Sequence, residues 1–88
     1  MKLAWTRAAL EDYLHWGKTD PKIRDAINDL IADIKRNPFK GLGKPEPLKH
    51  NLRGWWLRRI TGDHRLVYRV SGKKPDQKLE IAQCRYHY

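Results

Sequence analysis

A single cysteine, Cys84, stands among the 88 residues, so no internal disulfide can close and nothing argues for an oxidising compartment. No segment approaches the ~18 apolar residues that span a bilayer. The opening Met-Lys-Leu-Ala-Trp-Thr-Arg also lacks the apolar run of a signal peptide, and the expectation is a cytoplasmic protein without a membrane partner. Phosphate loop, dinucleotide fingerprint and glycine-flanked serine are all missing, which leaves nucleotide hydrolysis and acyl transfer unsupported. Cys84 and His87 have a ligand-like separation, yet one cysteine with scattered histidines makes no recognisable zinc site, so no metal or cofactor is expected.

Acid is also scarce: Asp and Glu number 10 against 19 Lys and Arg, a formal charge of +9. The imbalance is uneven. Up to Gly43 there are 8 basic and 6 acidic residues, whereas from Lys44 onward there are 11 and 4. Such a concentration attracts polyanions and speeds their encounter. A merely soluble surface would be served by mixed signs, so nucleic acid is the favoured partner class. A chain of this length buries only a little over ~60% of its unfolded surface. One domain over residues 1–88 is expected, with its chemistry on an open face rather than in a deep pocket.

The chain divides into helices first and strands later. Leu3 and Trp5 alternate with Lys2 and Ala4 as in a short strand. Thr6 is placed to cap a helix whose face carries Leu10, Tyr13 and Leu14, with Gly17 as its stop. Asp20 and Pro21 then open a second helix, Asp20 as acceptor for the first-turn amides. Ile23, Ala26, Ile27, Leu30, Ile31 and Ile34 form its apolar stripe, which must cover a sheet. Asn37 and Pro38 end it, Phe39 packs back on the helix end, and Lys40–Pro45 reads as a loop.

Beyond Glu46, residues 55–60 and 64–70 form a hairpin about Thr61–Asp63, and Leu79–Tyr86 is the last strand after a solvated connection. A three-residue turn sets Arg59 opposite Arg65, and a two-residue Gly62-Asp63 turn sets Ile60 there instead. Trp55 and Trp56 face opposite ways, one into the core and one free to stack on a base or partner. The fold class is α+β: a short N-terminal strand and two helices packed on one face of a twisted antiparallel sheet, in the order β-α-α-β-β-β, with the other face free.

Residues 44–68 concentrate the chemistry. Glu46 lies between Pro45 and Pro47, which stiffen the backbone, and Lys49 and His50 follow closely. Metal-free RNA cleavage needs a base for the ribose 2′-hydroxyl, an acid for the departing 5′-oxygen and positive charge for the phosphorane between them. Glu46, His87 and Arg65 suit those roles, and Lys49, Arg58 and Arg59 suit backbone phosphates. Each has a plainer reading. Glu46 taken alone is a counter-charge to Lys44 or Lys49, His87 a polar residue at a terminus, and His50 and His64 surface or hairpin hydrogen-bonding groups.

The segments Lys-Pro-Glu-Pro-Leu-Lys-His-Asn-Leu at 44–52, Trp56, Arg58-Arg59-Ile60-Thr61, His64-Arg65-Leu66-Val67-Tyr68, and Cys84-Arg85-Tyr86-His87-Tyr88 closely resemble YoeB/Txe toxins of the RelE superfamily. The resemblance runs the length of the chain, including Trp5, Asp12-Tyr13-Leu14, Trp16 and Pro38-Phe39. It implies a toxin of a type II toxin-antitoxin module that enters the ribosomal A site and cuts mRNA there without a metal or cofactor, leaving a 2′,3′-cyclic phosphate and a 5′-hydroxyl. Glu46 then matches the general base, His87 the general acid and Arg65 the transition-state cation, while Lys49, Arg59 and Tyr88 position mRNA and His50 lies in the same motif. The resemblance also implies homodimers, a YefM/Phd-type antitoxin, and contact with operator DNA only through that antitoxin. Two other readings compete: an RNA- or ribosome-binding module that does not cut, for which Glu46 is dispensable, and a ParE-like inhibitor of DNA gyrase.

Overall fold

The computed structural model describes residues 1–86. In chain order it comprises β1 (Lys2–Trp5), α1 (Arg7–Thr19), α2 (Pro21–Arg36), β2 (Glu46–Pro47), a 3-10 turn (His50–Leu52), β3 (Trp56–Arg59), β4 (Arg65–Ser71) and β5 (Lys78–Gln83). The strands form one sheet in the order β1-β5-β4-β3-β2. Three of its pairings are antiparallel, and β1 joins β5 in parallel. The expected α+β layering is therefore present, refined in two ways: the first strand makes the sheet mixed, and Glu46-Pro47 adds a fifth strand at its far edge. Among the described residues no helix is long and apolar enough to cross a membrane.

Local rules account for the helices with two corrections. Thr6 caps α1 through its side-chain oxygen, which accepts from the Ala9 amide at 3.2 Å while its hydroxyl reaches the Ala82 carbonyl at 3.1 Å. Gly17 does not stop the helix, which runs on to Thr19. A single glycine lowers helix propensity by only about 1 kcal/mol, and the core contact of Trp16 outweighs it. Asp20 precedes α2 as expected, but its side chain forms no capping bond among the described residues. Pro21 at the first helical position does hold. Ile27, Leu30, Ile31 and Ile34 are buried against Leu66, Tyr68, Leu79 and Ile81, the sheet that the stripe required.

The hairpin uses the three-residue turn: Arg59 pairs with Arg65, and the Ile60 amide donates to the His64 carbonyl at 3.0 Å. Trp55 and Trp56 do diverge. Trp56 borders the helix-side core and meets Phe39 at 4.8 Å between ring centroids, so Phe39 packs on this tryptophan rather than on the helix end. Trp55 lies on the other face, in a smaller cluster with Leu48, Leu57 and Val67. That second face is consequently not free. Segment 48–55 folds over part of it, closed by the Leu48 amide on the Trp55 carbonyl at 2.9 Å.

Candidate functional site

Pairing register decides which side chains share a face. Glu46 is opposite Leu57, Leu57 opposite Val67, and Arg59 opposite Arg65. Leu57 and Val67 belong to the smaller cluster, so Glu46, Arg59 and Arg65 all project from the face away from the helices. Glu46 is diagonal to Arg59, a separation of roughly 7–8 Å between backbones. Two strand spacings and two residue rises put the backbones of Glu46 and Arg65 about 12 Å apart, a gap that two long side chains and one phosphate can close.

Glu46 is exposed and heads a shallow cavity of about 260 Å³ lined by Glu46, Pro47, Leu48, Lys49 and His50. Its carboxylate has no ion pair or side-chain hydrogen bond among the described residues, so it does not serve as counter-charge to Lys44 or Lys49 there. Lys49, His50 and Arg59 are also exposed. Arg65 is partly buried: its Nη1 donates to the carbonyls of Thr61, His64 and Gly62 at 2.8, 3.1 and 3.2 Å. The turn thus fixes one corner of the guanidinium, and Nε and Nη2 have no partner among the described residues. A planar cation held in that way can offer two parallel donors to a phosphate.

The loop ends around this face are conformationally unusual. Lys44, His50 and Tyr86 have positive φ of 53°, 60° and 64°, a region that side chains with a Cβ enter at a cost and that clusters at functional sites. Tyr86 is held beside Arg65 by two bonds: its carbonyl accepts from the Arg65 amide at 3.0 Å, and its amide donates to His64 Nδ1 at 2.7 Å. His64 therefore accepts at Nδ1 and packs edge-on against Trp16 at 4.7 Å, which makes it a hairpin anchor. His87 and Tyr88, expected as acid and message-positioning residue, lie outside the described residues.

Arg58 requires a correction. It was expected to hold phosphate, but it is fully buried on the helix side and its nitrogens are consumed internally. Nη1 donates to Asp33 Oδ2 at 2.6 Å and to the Leu42 carbonyl at 3.0 Å. Nη2 donates to the carbonyls of Asn37 at 2.8 Å and Lys40 at 2.9 Å, and Nε to the Tyr68 hydroxyl at 3.2 Å. The bond from Arg58, joined by one from the Leu42 amide, holds the Asp33 carboxyl at about 2, against an ordinary 3.8. Burial pushes the Tyr68 hydroxyl up, with Arg58 opposing. No phosphate can reach this guanidinium.

Sequence reasoning passed over a second arginine. Arg69 Cζ stands 4.4 Å from the centroid of the Trp55 ring, and its Nη2 is 2.8 Å from Glu80 Oε1. This stack fills the face next to the Leu57-Val67 cluster. Cys84 is wholly buried beneath α1, its thiol pushed up to about 12 by desolvation. Among the described residues no group of three or more His, Cys, Asp or Glu is placed to hold a metal ion.

Comparison with known proteins gives a consistent picture. Residues 5–88 match the model of a family described as YoeB-like toxin of bacterial type II toxin-antitoxin system. Toxin YoeB of Escherichia coli K12 is 58% identical over 88 residues, the whole of both chains. Among solved structures, the YoeB/ParE toxin from Agrobacterium tumefaciens superposes with a TM-score of 0.96 at 57% identity, covering both chains fully. The Staphylococcus aureus YoeB has been solved as a dimer and as a heterotetrameric YoeB-YefM toxin-antitoxin complex, with TM-scores of 0.90 and 0.89. Both are 43% identical and cover 100% of this chain and 98% of theirs.

Proposed function

Because the chain belongs to the YoeB-like toxins of bacterial type II toxin-antitoxin systems, we propose that it cuts mRNA in the ribosomal A site and so halts translation. Glu46 takes the proton from the ribose 2′-hydroxyl, and the freed oxygen attacks the adjacent phosphorus. Arg65 stabilises the charge that builds on the phosphorane, and His87 protonates the 5′-oxygen as its bond to phosphorus breaks. The products are a 2′,3′-cyclic phosphate and a 5′-hydroxyl, reached without metal or cofactor. Lys49, His50, Arg59 and Tyr88 orient the message, and Arg58 leaves that set.

One observation carries this reading: an exposed, unpaired carboxylate on the same sheet face as Arg59 and Arg65, both also without an acidic partner among the described residues. A surface that only adhered to RNA would gain from removing a negative charge there, because carboxylate and phosphate repel. A general base has to be there. The gyrase-inhibitor reading leaves Glu46 without a role.

The ribosome supplies substrate geometry that a shallow face does not impose alone. The partners are then mRNA, the ribosome, a second copy of the chain and an antitoxin of the YefM/Phd type, with operator DNA reached through the antitoxin, all in the cytoplasm. A dimer and a YefM complex of the Staphylococcus aureus relative support the last two protein partners. The test is a translation reaction on a defined mRNA with mapping of 5′ ends for wild type, Glu46→Ala and His87→Ala. New ends inside the A-site codon are expected with wild type, and the same ends far more slowly with either variant. Ribosome binding without new ends would favour the non-cutting module, and intact mRNA with inhibited gyrase the third reading.

A further inference from the structure

Glu46 sits on a strand of two residues at the edge of the sheet, paired among the described residues only with β3. Pairing this short does not hold itself in place, so its position depends on the chain leading into it. That chain is the loop 37–43 between α2 and Lys44, and its backbone is gripped by three side chains from beneath. Arg58 takes the carbonyls of Asn37, Lys40 and Leu42. The Tyr68 hydroxyl donates to the Pro38 carbonyl at 2.6 Å, and Asp33 Oδ2 accepts from the Leu42 amide at 2.9 Å. At the exit of the loop the Arg59 amide donates to the Gly43 carbonyl at 2.7 Å.

Two glycines make this grip possible. Gly41, with φ of 119°, would drive a Cβ into the Asp33 carboxylate. Gly43, with φ of 78°, would bring one to 2.8 Å from the Arg59 carbonyl oxygen and 3.1 Å from Arg58 Cβ. Loop and side chains therefore fit as one unit, whose outlet is the Lys44-Pro45-Glu46 segment.

The geometry points to Arg58 as a positioning residue for Glu46: from inside the core, with Asp33 and Tyr68, it fixes the loop that aims the carboxylate at the message. This role rests on the reading of Glu46 as general base. Arg58 touches no substrate, and its influence passes through the loop backbone it binds and through Asp33 and Tyr68, which bind that backbone too.

The test is a double-mutant cycle read by single-turnover cleavage on saturating programmed ribosomes. Arg58→Lys and Tyr68→Phe, each milder than truncation, are measured in the wild-type and Glu46→Ala backgrounds. Misplacing a reacting group by about 1 Å can slow a reaction roughly a hundredfold. A loss of about tenfold or more is expected in the wild-type background and less than about twofold in Glu46→Ala, since the carboxylate through which the clamp acts is already gone. Amide exchange should quicken at Arg59 and Leu48 and stay unchanged along the β4–β5 ladder. Equal losses in both backgrounds, or uniform acceleration of exchange in both variants, would overturn the positioning role and leave Glu46 as base intact. A fully active Glu46→Ala protein would overturn both.

Discussion

The two faces of the sheet treat charge in opposite ways. Toward the helices, Leu66, Tyr68, Leu79 and Ile81 are fully buried, and Arg58, the one charged residue buried with them among the described residues, is satisfied by protein groups. On the far face a small cluster of Leu48, Leu57 and Val67 is bordered by Glu46, Arg59 and Arg65, which find no ionic partner among the described residues. Arg58 and Arg59 differ by one position and therefore by one face. Adjacent arginines thus become a structural tie and a free cation, and strand parity rather than residue type sets which is which.

Substitutions that should act on one face and spare the other test this contrast. Glu46→Gln should slow mRNA cleavage about 10²- to 10⁴-fold with an unchanged melting temperature; comparable activity would remove the functional side of the contrast. Arg58→Ala should destabilise the fold by about 3–5 kcal/mol in urea melts, because it leaves buried partners uncompensated. Arg59→Ala should change stability by less than about 0.5 kcal/mol, and a reversal of that order would break the contrast outright.

Acid sharpens it further. The Asp33 carboxyl is held at about 2 in the fold against an ordinary 3.8. Its contribution is therefore present above pH 3.8 and lost as pH falls toward 2. Urea melts across that window should show a falling limb that Asp33→Asn flattens. A small effect is expected of Arg69→Ala, which removes a half-exposed cation from the Trp55 ring and should lower stability by about 0.5–1 kcal/mol, more than Arg59→Ala does.

Most of the architecture was legible because its signals were local. The α2 stripe, the Thr6 cap, the Pro21 start and the split between Trp55 and Trp56 each depend on a few neighbouring residues, and each holds. Alternation alone left the turn at Thr61–Asp63 open between two registers, and tertiary pairing chose the one with Arg59 opposite Arg65. The candidate face was legible in Glu46 and its basic neighbours. The clamp beneath it was not, because Arg58, Arg59 and Arg65 look alike in a list of cations. A signal was nevertheless present: Asp33 lies beside the α2 stripe next to Ile34, and Arg58 keeps step with Trp56 on the inward side of β3. An acid at the edge of one apolar surface and a base on another are candidates for a buried pair. Parallel addition of β1 to β5 carried no local signal at all, since its partners are 76 residues apart.

That distant pairing bears on biosynthesis. Among the described residues β1 has β5 as its only neighbour in the sheet, the Thr6 amide needs the Ile81 carbonyl at 2.9 Å, and the Trp16 indole donates to the Cys84 carbonyl at 2.9 Å. A nascent polypeptide that has not yet emerged past β5 cannot complete the layer that seats α1, and pairings of such separation form late. A fragment lacking β5 therefore leaves α1 without its seat, whatever the strength of the helix's own local signals.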